Sequence, residues 1–289
     1  MKHRIDPLIA ERAPWLFNGA LTSRAALAGL ERLLGYGRTV ALAERFETMQ
    51  TRRIMAEMGT MLAREVTASG LGHIPTHGPA LIVANHPTGI ADGIILHHLI
   101  SQVRPDLFIY ANSDILRVLP QMSELILPVE WRAEKRTHAK TRETMAATQT
   151  ALSEGRLGVI FPSGRLAKRR GLQLYERPWM PSAAMIARKF DLPVIPVNLR
   201  ARNSALFYLF DLIHPTLRDI TLFHETLNKD RQPYRIRVGR PIEPADLPQK
   251  SEEAISVLRD ATLALAGRHA PTVSLWEMRR RLLPRQRLG

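Results

Sequence analysis

From Ser23 onward, leucines recur at helical spacing: Leu27, Leu30, Leu33 and Leu34. Steps of three and four place them on one face of a helix. Ser23 suits the N-cap of that segment, and Gly35 and Gly37 are expected to break it. Val40 to Val66 then reads as a longer amphipathic helix. Leu42, Phe46, Met49, Ile54, Met58, Met61 and Leu62 form its apolar side, with Arg52, Arg53 and Arg64 between them. Trp15, Leu16 and Phe17 make an apolar cluster ahead of both. Such a stripe either packs as a layer on the rest of the domain or dips into a lipid interface, where basic and aromatic neighbours favour it. The pattern alone admits both.

From Pro79 the pattern changes to short apolar runs alternating with helical stretches. The expected strands are Ala80–Ala84, Leu107–Ala111, Leu157–Phe161, Pro193–Asn198 and Tyr234–Val238. The expected helices lie near Ala91–Gln102, Asp114–Leu119, His138–Ser153, Ala183–Phe190 and Glu252–Ala266. This alternation predicts an α/β fold with a largely parallel central sheet flanked by helices, preceded by an N-terminal helical extension. There is no internal repeat and no low-complexity linker. Residues 1–70 read as the helical extension, 71–270 as the main domain and 271–289 as a basic tail containing Arg279, Arg280, Arg281, Arg285 and Arg287.

Charge sharpens the picture. Lys and Arg number 41 against 27 Asp and Glu, a net charge of +14 over 289 residues. A surplus of that size implies a negatively charged partner such as nucleic acid, anionic lipid or a phosphorylated substrate. The chain has no cysteine, which removes disulfides, thiolate metal sites and thiol nucleophiles. No apolar run reaches the roughly 18–20 residues that cross a bilayer, and no apolar h-region follows the charged first residues, so no signal peptide is expected.

The segment Leu81-Ile-Val-Ala-Asn85-His86-Pro-Thr-Gly-Ile-Ala-Asp92-Gly93 holds the strongest chemistry. An apolar strand ends in Asn85 and His86, and Asp92 lies at the start of a helical stretch. Catalytic groups of open α/β sheets sit at strand C-termini. A histidine there with a carboxylate nearby has the parts of a general base and its orienting partner. The bland alternative is a solvated loop histidine beside a helix-capping aspartate. Leu157-Gly-Val-Ile-Phe161-Pro-Ser163-Gly164-Arg165 is a second strand running into a turn, followed by Lys168, Arg169 and Arg170. Backbone N–H groups and a guanidinium there could seat a phosphate, or the segment simply faces solvent. His97 and His98 fall inside a predicted helix and read as packing or exposed residues, so no metal site is expected. Ser163 lacks the Gly-x-Ser-x-Gly frame of a serine hydrolase.

Taken together, Asn85-His86 to Asp92-Gly93, Phe161-Pro-Ser-Gly-Arg165 and Val194-Ile-Pro-Val197 resemble the first, third and fourth motifs of the glycerolipid acyltransferases, typified by 1-acylglycerol-3-phosphate acyltransferase. The segments Leu222-Phe-His-Glu225 and Arg235 to Pro241 resemble the branch near bacterial hemolysin-like and lyso-ornithine-lipid acyltransferases. The departures are specific. Five residues, Pro87 to Ala91, separate His86 from Asp92 where the family usually has four, and Gly89 is the residue able to absorb the extra one. The third motif usually reads Phe-Pro-Glu-Gly-Thr-Arg; Ser163 replaces the glutamate and Arg165 comes one place early. Pro128-Val-Glu-Trp-Arg132 is the best counterpart of the second motif.

The resemblance implies transfer of a fatty acyl group from acyl-CoA or acyl carrier protein, as co-substrate, to a lysolipid hydroxyl, with no metal or organic cofactor. His86 and Asp92 would be catalytic; Asn85, Arg132, Ser163, Gly164 and Arg165 would bind substrate, and Trp179 resembles a substrate-channel aromatic. The protein is expected at the cytoplasmic face of a membrane, attached peripherally to an anionic surface through Trp15-Leu16-Phe17 and the Met-rich face of Val40–Val66. Two other readings stand beside this one: a catalytically silent membrane-binding relative, and a nucleic-acid-binding protein, which the charge alone supports and for which no reading motif is present.

Overall fold

The computed structural model describes residues 1–130, 137–267 and 272–274. Four helices come first: α1 (Lys2–Arg12), α2 (Leu21–Leu33), α3 (Tyr36–Phe46) and α4 (Thr51–Leu62). The alternating region follows as β1 (Val66–Ser69), β2 (Ala80–Ala84), α5 (Ile90–Ile100), β3 (Phe108–Ala111), α6 (Asp114–Val118), β4 (Ile126–Pro128), α7 (His138–Ser153) and β5 (Leu157–Ile160). Then come a hairpin, β6 (Lys168–Arg170) and β7 (Gln173–Tyr175), and α8 (Ser182–Lys189) and β8 (Val194–Arg200). The chain continues through α9 (Ala205–Ile213), α10 (Pro215–Ile220), α11 (Leu222–Leu227), β9 (Tyr234–Val238), α12 (Ser251–Ala264) and β10 (Thr272–Ser274).

Seven strands form the central sheet in the order β1-β9-β8-β2-β5-β3-β4. Neighbours are parallel except β8 and β9, which run antiparallel. The α/β fold with a largely parallel sheet is therefore present. Its middle strands are apolar without alternation because both faces are covered; all five residues of β2 are buried. Ala80, Ile82 and Ala84 face a core shared with Ile195, Val197, Ile94 and Ile95. Leu81 and Val83 point the other way, towards Ala183 and Ala187 of α8 and Ala254, Ile255 and Leu258 of α12.

The N-terminal helices are part of that first core. Ile5, Leu8, Phe46, Ile54, Met55, Met58 and Leu62 are buried in the same cluster as Ile82 and Ile195. This overturns lipid insertion for the Met-rich stripe: its apolar side is already covered by the sheet layer. Of the cluster ahead of it, Leu16 is buried while Trp15 and Phe17 are exposed. No helix among the described residues is long and apolar enough to cross a membrane.

Two local expectations also change. The single helix over Val40–Val66 is broken, α3 ending at Phe46 and α4 starting at Thr51. The free carbonyls at the end of α3 find a partner far away in sequence: the Gln121 amide donates to Phe46 O at 2.8 Å and to Met49 O at 3.2 Å, and Thr51 Oγ1 donates to Gln121 O at 2.6 Å. A helix end satisfied this way needs no local stop signal. Further upstream, α2 starts at Leu21, so Ser23 lies inside it instead of capping it, and Leu34 and Gly35 separate α2 from α3, with Gly37 helical.

Candidate active site

His86 leaves the C-terminal end of β2 and Phe161 the C-terminal end of β5, its parallel neighbour. Their rings stack, centroids 4.3 Å apart and planes 30° from parallel. The chain then turns through Gly89, at φ +107, into α5. Only glycine tolerates that backbone cheaply, and the turn absorbs the additional residue between His86 and Asp92. Asp92 sits in the first turn of α5, where the partial positive charge of the helix end favours a carboxylate. The two groups meet: His86 Nδ1 lies 3.0 Å from Asp92 Oδ2, the carboxylate fully buried and the His86 side chain 19% exposed. Nδ1 has no other partner, and its N–H points off the line to the oxygen, so the contact has hydrogen-bond length without hydrogen-bond alignment. Such looseness is common before substrate binds.

Asp92 is immobilised from several sides. Its Oδ2 accepts from Thr88 N at 2.8 Å and Gly89 N at 3.0 Å; its Oδ1 accepts from Thr88 Oγ1 at 2.6 Å and Tyr234 OH at 3.2 Å. Tyr234 reaches this end of the sheet because β9 alone opposes its neighbour β8, so that its first residue lies at the C-terminal end of β8. Burial, and then the nearby Asp92, hold the Tyr234 hydroxyl well above the ordinary phenol range. It therefore stays a proton donor. Behind this layer the buried Lys229 ammonium donates to Asn203 Oδ1 at 2.7 Å and pairs with Glu225 Oε2 at 3.1 Å, while Asn203 Nδ2 donates to Thr88 O at 3.3 Å. Burial pulls the Lys229 amine down, and Glu225 acts against that pull.

The other expected site residues divide. Asn85 is engaged with the neighbouring strand: its Nδ2 donates to Leu199 O at 2.8 Å and its Oδ1 accepts from Leu199 N at 2.7 Å. Both halves of the amide are consumed in tying β2 to β8, which corrects its assignment to substrate. Ser163 is buried, its hydroxyl donating to Arg165 O at 2.8 Å. Gly164, at φ +58, donates to Phe161 O at 2.9 Å and closes the turn. Arg165 is exposed beside the His86 segment, to which this strand-end loop is joined by Ala167 N donating to His86 O at 2.9 Å. Arg132 lies outside the described residues. Trp179 is buried with its Nε1 donating to Glu176 Oε1 at 2.9 Å, a packed residue and not an open channel wall.

Glu176 and Arg177 were not visible as site residues in the sequence. Glu176 Oε2 accepts from His86 N at 3.2 Å, and burial raises its carboxyl above the ordinary range. It holds the backbone of His86 and is hydrogen-bonded to Ser163. Arg177 anchors through Nε to Leu166 O at 2.8 Å. Burial, then the charges of Arg165 and Arg218, lowers its pKa, while Asp211 and Glu176 act against that pull. The signal that could have found both is the unbroken Glu-Arg pair after the hairpin, which only the hairpin's return places at the site.

Residues 65–200 match the family model described as acyltransferase. Among curated proteins, the chain is similar to the lyso-glycine lipid O-acyltransferase of Phocaeicola vulgatus, 23% identical over 63% of this chain and 65% of that protein. The protein of the same name from Bacteroides thetaiotaomicron is 22% identical over 51% of this chain and 52% of its own length. The match thus spans between half and two thirds of these relatives. An uncharacterized protein of Mycobacterium bovis is 31% identical over 54% of this chain and 41% of its own. Among solved structures, the 1-acyl-sn-glycerophosphate acyltransferase of Thermotoga maritima aligns over 92% of this chain and 97% of its own at 14% identity, with a TM-score of 0.47. The matched segment contains His86, Asp92 and the Phe161–Arg165 turn, so the similarity to the acyltransferase family covers the candidate site.

Proposed function

We propose that this protein is an O-acyltransferase that moves a fatty acyl group from an acyl thioester to the hydroxyl of a lysolipid. The observation that carries the reading is the contact of His86 with the buried, donor-saturated Asp92 at a strand end. That contact also favours an active enzyme over a silent relative. The names of the curated relatives support a lysolipid as acceptor.

In this reading the His86 ring, oriented through Nδ1 by Asp92, takes the acceptor O–H proton on Nε2. The acceptor oxygen forms a bond to the thioester carbonyl carbon, whose C=O electrons move to oxygen. As that tetrahedral centre collapses, the C–S bond breaks and the departing thiolate takes the proton from the imidazolium. The base returns to its starting state and no acyl-enzyme forms. General-base assistance of this kind contributes about 10²–10⁴-fold. Arg165, with Arg177 beside it, holds an anionic part of the acceptor by charge-assisted hydrogen bonds. The acyl carrier, coenzyme A or acyl carrier protein, is a co-substrate and no further cofactor takes part. Both carriers are acidic, so the net charge of +14 assists their approach. The protein works peripherally, at the cytoplasmic face of a membrane, in lipid synthesis.

The test is to incubate the purified chain with labelled acyl-CoA and acyl carrier protein thioesters against a panel of lysolipids. Label in a diacyl product, absent with the His86→Ala variant, is the expected result. No transfer to any acceptor from either donor overturns the reading.

A further inference from the structure

The helix α9 reads Ala-Leu-Phe-Tyr-Leu-Phe-Asp-Leu-Ile, with Asp211 its single charge. A helix apolar on every side belongs inside a protein or against lipid. Its inner side is accounted for: Phe207 and Tyr208 pack with Leu174 of β7 and with Leu166 and Leu222. Its outer side is not, since Leu209, Leu212 and Ile213 are each more than half exposed. Asp211 does not make that side acidic, because the Arg218 guanidinium donates to it at 2.9 Å.

The hairpin that α9 packs on has the complementary chemistry. From Pro162 to Tyr175 there are four cations, Arg165, Lys168, Arg169 and Arg170, and no acidic residue. The tip turns at Gly171, φ +58, and presents Leu172 at 65% exposure, flanked by the exposed Lys168 and Arg170. This hairpin also borders the candidate base, through Ala167 N and His86 O at 2.9 Å. The patch continues at the other end of α9. The Trp15 indole N–H lies 3.4 Å from Thr216 Oγ1, which brings the exposed Trp15 and Phe17 next to the α9–α10 corner.

We propose that the β6–β7 hairpin and the outer face of α9 form a bilayer-docking surface, with Leu172, Leu209, Leu212 and Ile213 inserting among acyl chains and Lys168 and Arg170 meeting anionic headgroups. Charge decides for lipid over a protein groove: insertable leucines beside an acid-free basic hairpin match an anionic interface, where each cation adds attraction within a Debye length. The surface adjoins His86, so a bound acceptor would keep its hydroxyl at headgroup depth while its chain stays in the bilayer. The inference rests on the lysolipid reading for its purpose, and on the exposed residues alone for its location.

Vesicle flotation tests it with the full chain. Wild type is expected to float with phosphatidylcholine–phosphatidylglycerol vesicles at roughly 7:3 and poorly with phosphatidylcholine alone. Leu212→Glu with Ile213→Glu, and separately Lys168→Gln with Arg170→Gln, should each lower the bound fraction about tenfold or more. All four positions are exposed, so transfer to a short-chain acceptor in free solution should stay at the wild-type rate. Wild type staying at the bottom at low salt, or variants that float like wild type, overturn the docking surface. So does a wild-type dimer that Leu212→Glu with Ile213→Glu converts to monomer, since the patch would then belong to a second copy. Flotation without acyl transfer to any lysolipid leaves docking standing and removes the functional reading; transfer in solution without flotation does the reverse.

Discussion

Asp92 has no exposed surface, yet four donors converge on it, two from Thr88, one from Gly89 and the Tyr234 hydroxyl, with the His86 ring 3.0 Å away. A buried charge costs several kcal/mol unless so satisfied, and the same donors fix where the imidazole can stand. His86 itself contributes little packing beyond its stack on Phe161, a pair worth about 0.5–1.5 kcal/mol. His86→Ala should therefore lower stability by about 1 kcal/mol while reducing transfer by roughly 10²–10⁴-fold; transfer near the wild-type rate overturns its role as base. Arg165 makes a different prediction, since an exposed guanidinium that holds an acceptor anion acts in binding. Arg165→Ala should raise KM for an anionic lysolipid about tenfold or more, with KM for the acyl donor unchanged, and equal effects on both would assign it to loop structure. His86 and Asp92 were legible because strand end, turn and helix start all fall within one segment. Asn85 was misread because an amide at a strand end looks alike in sequence whether it binds substrate or bridges strands. Tyr234 and Glu176 were illegible because their arrival depends on the reversed direction of β9 and on the return of the hairpin.

Among the elements, α5 links the site to the far end of the sheet. Its Asp92 end contacts His86, and its His97–His98 end packs on α4, where Gly59 allows close approach: a Cβ on Gly59 would stand 2.4 Å from His98 Nδ1 and 2.7 Å from His98 Cβ. The second contact cannot be relieved by rotating the ring. Alanine would gain about 0.5–1 kcal/mol of helix propensity, whereas overpacking costs about 1–3 kcal/mol. Gly59→Ala should thus be net destabilising in urea unfolding; a more stable variant would show that α4 shifts freely. His97 adds a pH dependence. Burial, then the charge of His98, pushes its pKa down to about 4, and it lines a cavity of about 380 Å³ shared with Arg52, Asp106, Glu124 and Arg156. The unfolded chain binds a proton on this imidazole near pH 6.5 that the folded chain refuses. Stability is therefore complete above about pH 6.5 and falls by about 2–3 kcal/mol as pH drops towards 4. His97→Gln should flatten that part of the profile, and an unchanged slope assigns it elsewhere. The strand and helix alternation was legible because apolar runs and helical stripes differ in period. The break between α3 and α4 was not, because its stop signal is Gln121, over seventy residues away.

At the scale of the whole molecule, periodicity reported that the N-terminal helices have an apolar side and was silent on what covers it. The structure answers with the sheet: Phe46, Ile54, Met55, Met58 and Leu62 share one core with Ile82 and Ile195. The edge is involved as well, since β1 pairs with β9 from Val66–Tyr234 to Ser69–Arg237. The first seventy residues are thus a layer of the fold. This bears on a chain that starts at Gly70, the natural cut if those helices were only a membrane anchor. Removing one buried Leu, Ile or Met side chain typically costs about 2–5 kcal/mol. The five side chains named above would together cost on the order of 10 kcal/mol, which already matches the typical total stability of about 5–15 kcal/mol. The cut also bares the edge of β9, whose first residue is the Tyr234 that holds Asp92, and an unpaired edge invites association. A chain from Gly70 to the end should therefore show no cooperative thermal transition by circular dichroism and should elute from gel filtration as aggregate. A sharp melt from a monomeric truncated chain would show that the sheet and its other helix layer stand alone, and that the N-terminal helices are an appendage after all.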